Sequence, residues 1–567
     1  MLRSVRFARS GRPGRYARLG SLCSLGAIPF IAVPAIAQLP SMRPDVGGIE
    51  AAVTSDHVLA SAAGADVLKR GGNAVDAAIT MAAVLTVVRP HMNGVGGDNF
   101  MLIRLAKTGE IIALNGSGRA GARATPAFFR EKNLTSIPGS GILSVSVPGA
   151  VRAWADALQR HGTITLSQAL QPAIRYAERG FPVSQRLHID INEAKRKLTA
   201  DPELARIFLP NGEAPAVGTL LKQPELGRTL RAIATSGPDA LYKGTLAKQI
   251  VAFMDREGGL VTAADMAGHR STWEKPISST YHGHHVIAFP PNTQGITLLE
   301  QLNIAELSDL KASGRNSVDY IHSLVEGAKL AYADRDKFIA DPKFAEVPVE
   351  RLISKEYAAD LARRLREKLK ANDSGASANR DGSGDTVFLG VVDKNGNAVS
   401  MIQSLFASFG SGRMVPGTGI TLHNRGNLFE LDSTHANVVA PGKRPFHTLC
   451  PAMVLNPDRS LRMVVGTPGG DGQPQTLTQV ITNIMQFGLT PQQAVEAPRF
   501  RWYGRERVGV EPGIAADVRD ALTKRGHQIT LQEPSEEFGG AQVILVTPTG
   551  GRVAGADPRR EAYAIAW

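Results

Sequence analysis

One junction constrains this chain more than any other stretch. Residues 371–385, ANDSGASANRDGSGD, are small and polar, a composition with nothing to pack, which reads as a linker. At Thr386 the character changes within one residue. Positions 386–392 are β-branched, aromatic and apolar, as expected of a buried strand. Asn395-Gly396 is a strong hairpin signal, and residues 398–406 return as a second strand. A linker that ends on the Thr opening a core strand could be cut between Asp385 and Thr386, which would leave Thr386 as a new N-terminus. The same pattern also reads as an ordinary loop entering an ordinary strand.

A cut there would create chemistry. A Thr hydroxyl is a weak nucleophile until a base takes its proton, and a free α-amino group on the same residue can be that base. An α-amine titrates near neutrality, so part of it is uncharged at working pH. Nucleophile and base then share one residue, with no need for a His, a metal or a cofactor.

The rest of the chain bounds the alternatives. It has 567 residues, 43% hydrophobic and 20% charged, values typical of a soluble globular protein. Residues 1–18 carry six Arg and no acid, and residues 19–37 are apolar and end Ala35-Ile36-Ala37. That is the layout of a secretory signal peptide, cut before Gln38, and it predicts a periplasmic or secreted protein. No later apolar run is long enough to predict a transmembrane helix. Loss of the leader removes six of the twelve net positive charges. The basic run 355–370 interleaves acids at helical spacing and reads as a solvated helix face, not a nucleic-acid patch. Cys23 leaves with the leader and Cys450 is then alone, so no internal disulfide is expected.

In chain order, 58–69 is predicted as a helix. Asn73 caps a second, 74–88, apolar nearly all round and so fully buried. His91 to Asp98 is a glycine turn before a strand that starts near Phe100. Gly116 to Gly121 matches G-x-G-x-x-G, but Pro126 interrupts the following helix and no acid closes a second strand, so a dinucleotide site is rejected. Amphipathic helices are expected over 149–162 and 166–178. A strand over 281–289 should lead through PPNTQG into a helix at 296–307. Later strands are predicted at 417–425, 452–455 and 464–466, and a helix at 476–487. No G-x-S-x-G, H-E-x-x-H or paired C-x-x-C motif occurs, and no internal repeat is found.

TVFLGVVDKNGNAVSMIQSLFASFGSG, followed by GITLHNRG, resembles the start of the small subunit of the γ-glutamyltransferases, also called glutathione hydrolases. The likeness extends to GGNAVDAA with its GVGGD turn, Tyr332-Ala-Asp-Arg335, 352–357 (LISKEY), Val464 to Gly470, Ala497-Pro-Arg-Phe500 and Ala556-Asp-Pro-Arg559. These motifs occur in family order through nearly the whole chain after the leader. The resemblance implies a self-cleaving N-terminal-nucleophile hydrolase. Its fold would be α+β, a four-layer αββα sandwich with mainly antiparallel sheets. A large subunit (38–385) and a small subunit (386–567) would form one interleaved globule. Thr386 would be the nucleophile, and Gly469-Gly470 would supply backbone N–H donors for the developing oxyanion. Ser404 falls where the family has a Thr or Ser that supports the nucleophile. A two-residue turn at Asn395-Gly396 instead pairs Thr386 with Leu405 and puts Ser404 on the other face, unless a bulge intervenes.

The acyl pocket departs from the family. The transpeptidase Asn is Phe406 here. The Gln and Asp that hold a substrate α-amino group fall on Arg425 and Leu428, and the Ser-Ser pair on His447-Thr448. The carboxylate-gripping Arg falls on Ser117, with Arg119 two residues later. Losing the Asp matters most, because a buried ammonium needs a partner charge. Arg425, and Arg119 if it takes over that role, would suit an anionic acyl group without an α-amine. His447 reads as a packing or substrate-side residue more than as a general base. The segment 428–444 is shorter than the family lid, predicting an open site in which hydrolysis outcompetes transfer. Three functions are therefore carried forward. One is a γ-glutamyl hydrolase or transferase with water, an amino acid or a dipeptide as acceptor. The second is an amidohydrolase for glutaryl-type or small oxo-acid amides. The third is an uncut binding protein with no activity.

Overall fold

The computed structural model describes residues 41–371 and 384–567. The expected leader and the interior of the expected linker lie outside the described residues. Two seven-stranded sheets form the centre of the molecule. The first runs, in spatial order, Val46–Gly48, Arg552–Ala556, Gln542–Val546, Leu461–Gly466, Ala452–Leu455, His284–Ala288, Ile277–Tyr281. The second runs Tyr563–Ala566, Ala52–Ser55, Asp385–Val392, Ala398–Phe406, Asp98–Arg104, Ile111–Gly116, Thr272–Glu274. Every pairing in both sheets is antiparallel. Each sheet contains strands from both sides of Thr386, so neither half could bury its own sheet alone.

Side-chain alternation along the strands builds the layers. Phe388, Ile402, Phe100 and Leu102 of the second sheet meet Ile287, Met453, Val464 and Ile544 of the first between the sheets. On the other face of the second sheet, Val387, Leu389, Val391 and Met401 pack against helices led by Ala74–Val88 and Ala150–His161. The outer face of the first sheet packs under Gly295–Glu306, Val318–Phe338 and Gln473–Met485. The result is the expected αββα sandwich. All of Ala74–Val88 is buried, and Asn73 and Asp76 form a reciprocal capping box at its start. Among the described residues no helix is long and apolar enough to cross a membrane, and Cys450 is a buried free thiol.

Several sequence expectations are corrected. The strand expected at 281–289 is a hairpin, Ile277–Tyr281 with His284–Ala288, turned by His282 at φ 46 and Gly283 at φ 78. The strand expected at 417–425 is only Ile420–Thr421, followed by a short helical turn at Arg425–Leu428. Gly116 to Gly121 serves backbone packing: a Cβ at Gly118 would lie 1.6 Å from the Val147 carbonyl oxygen.

The hairpin register also differs from a two-residue turn. Asp393 and Asn397 pair through a main-chain hydrogen bond of 3.0 Å, and Gly396, at φ 81, donates its N–H to the Asp393 carbonyl. This is a three-residue loop with glycine in the left-handed position. It shifts the ladder by one, so Val387 pairs with Gln403 instead of Lys394 pairing with Asn397 to set the register. A second shift lies between Asp385 and Val387, where Ser404 and Leu405 stand opposite Thr386 and Asp385 pairs with Phe406. Thr386 and Ser404 therefore share the face between the sheets.

Candidate active site

Thr386 lies near the end of an inner strand and is fully buried in the uncut chain. Its hydroxyl donates to Ser404 Oγ at 3.2 Å, and the same oxygen accepts the Phe406 N–H at 2.7 Å. Ser404 thus ties the nucleophile candidate to the bulge that follows it. Phe406, just past that bulge and opposite Asp385, sits at φ 79, a left-handed conformation that costs a bulky L-residue roughly 1–2 kcal/mol. The opposing loop approaches closely: a Cβ on Gly97 would lie 2.4 Å from the Ser404 carbonyl oxygen.

Gly469-Gly470 faces the same point. A Cβ on Gly384 would come within 2.9 Å of the Gly470 Cα, so the chain leading into Thr386 runs directly over this turn. Gly469 and Gly470 have φ 128 and φ 56, values that favour glycine at both positions. They precede Gln473–Met485, a helix whose positive dipole end adds to the field at the turn.

Other side chains hold the turn, and sequence reading missed their roles. Gln294 Nε2 donates to the Gly470 carbonyl at 3.1 Å and to the Thr448 carbonyl at 2.6 Å. The Tyr332 hydroxyl donates to the Asp471 carbonyl. Arg335 reaches Asp471 Oδ1 at 3.2 Å and Gln294 Oε1 at 3.3 Å. The YADR motif is therefore a two-point clamp on the residue after Gly470. In the sequence only its likeness to a family motif marked it, since Asp471 lies more than a hundred residues away.

The expected acyl-binding residues gather around a buried acid, Asp98. Asp98 Oδ2 meets His423 Nδ1 at 2.9 Å, Arg425 Nε at 3.4 Å and His447 Nε2 at 3.9 Å, while Oδ1 accepts the Gly118 N–H at 3.0 Å. Burial works to raise the Asp98 carboxyl, but His423, His447 and Arg425 together hold it well below the usual range. Burial, with Arg425 nearby, pushes the His447 imidazole far down, so the ring is neutral near pH 7. That ring packs edge-on against Phe100 at 4.8 Å. Arg425 is fully buried; burial lowers its guanidinium to about 10 against the pull of Asp98. Its Nη1 donates to the Thr448 hydroxyl at 3.2 Å and its plane lies 4.5 Å from the Phe406 ring centre. Its Nη2 is buried without a hydrogen-bond partner. Leu428 sits in an apolar cluster with Phe406, Phe446 and Ile296.

Arg119 stands apart from this group. It donates to the Gly442 carbonyl at 3.2 Å and lies 3.7 Å from Asp341, while Ser117 bonds Asn115 at 2.7 Å. The segment 428–444, expected to be a short lid, packs on its neighbours. Phe429 and Val439 are buried, and Asn437 bonds the Leu428 carbonyl at 2.6 Å.

The sequence and fold match known proteins. The family model described as gamma-glutamyltranspeptidase matches residues 60–567. The chain belongs to the γ-glutamyltranspeptidase family. Within that family it is 41% identical over 533 residues to a glutathione hydrolase-like proenzyme of Bacillus subtilis (strain 168), covering 92% of this chain and all of that one. It is 36% identical over 548 residues to an acylase ACY 1 proenzyme of Pseudomonas sp. (strain SE83), covering 94% of this chain and 97% of that one. Among solved structures, a cephalosporin acylase from Bacillus halodurans superposes with a TM-score of 0.86 at 39% identity, covering 93% of this chain and 98% of that one. Membership makes this chain an enzyme of the γ-glutamyltranspeptidase type, a family that includes both glutathione hydrolases and acylases.

Proposed function

We propose that this chain is a proenzyme that cuts itself between Asp385 and Thr386 and then hydrolyses amides of acids that carry an anionic end but no α-amino group, glutaryl amides being the model. Thr386 Oγ1 attacks the amide carbonyl while its own amine takes the proton. The N–H groups at Gly469-Gly470 receive the oxyanion. The leaving amine departs with the proton, and water then releases the acid from the acyl-threonine.

The observation that carries the substrate class is the pairing of Leu428 with Arg425. Leu428 packs in an apolar cluster where the family uses an acid, so an ammonium placed there would be buried without a counter-charge. Arg425 keeps one buried donor, Nη2, without a partner, and an arginine donor suits a carboxylate. Similarity to two acylases supports this choice. The glutathione hydrolase-like relative supports a second reading, γ-glutamyl hydrolysis or transfer. The leader supports export to the periplasm or medium, with 38–385 and 386–567 as the mature pair of subunits.

Denaturing gels of the purified wild type should show two fragments, and Thr386→Ala a single uncut chain. Rates on glutaryl and γ-glutamyl anilides then separate the readings. A kcat/KM ratio of about 10 or more for the glutaryl substrate is expected. A ratio below one restores the γ-glutamyl reading. An uncut, inactive wild type removes both.

A further inference from the structure

The strand that carries Thr386 loses one neighbour just before reaching it. Ala52–Ser55 pairs with Asp385–Val392 only as far as Ser55 opposite Leu389. The chain then turns away through His57 into Val58–Lys69. Phe388 would be left with unpaired main-chain groups on that edge. Two buried side chains replace the missing strand: Phe388 N–H donates to Asp56 Oδ2 at 2.6 Å, and its carbonyl accepts from Gln542 Nε2 at 3.2 Å.

Alternate residues of a strand point their N–H groups to the same side. The nitrogen of Thr386 therefore lies on the edge that Asp56 covers, about 7 Å further along. Asp56 is fully buried, and its second oxygen, Oδ1, has no hydrogen-bond partner. The groups facing it are Arg89 from the end of the Ala74–Val88 helix, Arg560 and Glu536 from the C-terminal region, and the Phe388 N–H. Its neighbour His57 is committed elsewhere, accepting the Leu59 N–H, and burial keeps its ring neutral. Burial pushes the Asp56 carboxyl up to about 7, with Arg89 and Arg560 pulling it back. A cavity of 880 Å³ lies nearby, lined by Gly384, which precedes Asp385-Thr386, and by Glu536 and Arg560, two of the charged groups that act on Asp56.

We propose that Asp56 is the positioning residue for the base: its free oxygen orients the amine that Thr386 gains on cleavage through one water, and its charge acts on the ammonium formed during attack. In the attack step the Thr386 Oγ1–carbon bond forms as the hydroxyl proton moves to the amine, giving an ammonium opposite the Asp56 carboxylate. The ammonium then protonates the leaving nitrogen as the amide bond breaks, and the amine is regenerated. Above its own titration Asp56 neither gives nor takes a proton in these steps, the part an orienting acid plays for a histidine base in a Ser-His-Asp triad. This inference rests on Thr386 being the nucleophile.

The test is the acid limb of the kcat/KM–pH profile. A carboxylate beside the amine raises its proton affinity, so Asp56→Asn should move the limb down by about one pH unit. It should also lower kcat about 100-fold with KM changed less than about threefold. Asparagine can still accept the Phe388 N–H, and a two-fragment gel pattern with an unchanged melting profile checks the fold. Arg560→Met removes a nearby cation and should move the limb up, the opposite direction; it decides the matter alone if Asp56→Asn does not accumulate. A limb unmoved in the variants that fold overturns the role of Asp56. If Thr386→Ala is dead while Asp56→Asn keeps the wild-type limb and turnover, the nucleophile stands and Asp56 falls. An active Thr386→Ala overturns the nucleophile first and this inference with it.

Discussion

The two ends of the candidate site are built on opposite principles. At the expected reaction end, the family-like residues are present and are held by well-directed hydrogen bonds and one buried ion pair. Ser404 bridges Thr386 and Phe406, and Gln294, Tyr332 and Arg335 fix the Gly469-Gly470 turn. At the proposed acyl end, the positions expected to hold a substrate amine carry Leu428, in an apolar cluster, and Arg425, which is tied to Asp98. The difference follows from what each end must do. Stabilising a developing oxyanion needs donors already in place, because reorganisation during the reaction costs rate. Choosing a substrate needs only that the wrong partner be left unpaired, and one missing buried charge does that.

The comparison breaks most visibly at Thr386. Thr386→Ala should leave the chain uncut and lower amide hydrolysis by at least about 10³-fold, read on a denaturing gel and in an anilide assay. Clamp variants come next. Tyr332→Phe and Gly470→Ala should each lower kcat, by about 10-fold and about 10²–10³-fold respectively, with KM nearly constant. A rise in KM at constant kcat would move this turn from the reaction end to the binding end. Third, Leu428→Asp should raise the γ-glutamyl to glutaryl ratio of kcat/KM by about 10-fold. It should also lower stability by about 1–3 kcal/mol, because it puts a charge into an apolar cluster. An unchanged ratio would mean that Leu428 does not mark where a substrate amine sits.

The smallest effect concerns stability against pH. Asp56 binds its proton more tightly in the folded chain, at about 7 against 3.8. The folded state therefore holds a proton that the unfolded state has lost, and stability declines as pH rises from about 4 to about 7. Asp56→Asn, made in the Thr386→Ala background so that no new amine intervenes, should remove that decline. Calorimetry at pH 5 and pH 8 should show the variant gaining about 1–3 kcal/mol on the parent at the higher pH. A constant difference would mean that Asp56 carries no such burden.

Much of this was readable along the chain, for local reasons. The change at Thr386, the capped and wholly apolar Ala74–Val88 helix, and the glycine pairs are signals spread over a few residues. What could not be read depends on contacts between distant segments. Gly396 alone does not reveal whether its loop holds two residues or three; the main-chain bond between Asp393 and Asn397 decides that, and with it which face Ser404 occupies. The strand expected at 417–425 failed because its residues are held by side chains of other elements: His423 and Arg425 are drawn to Asp98, and Asn424 bonds the Gly139 carbonyl.

Family membership was legible along the chain alone, as were the strand-turn-strand at 386–406 and the capped Ala74–Val88 helix, because such signals span a few residues. The fold is what brings Arg425 against Asp98, Arg119 beside Asp341 and Asp56 onto the Phe388 N–H. Those pairings join residues hundreds of positions apart. Whether a buried charge is a binding group or a structural one depends on which partners the fold brings within a few ångströms of it.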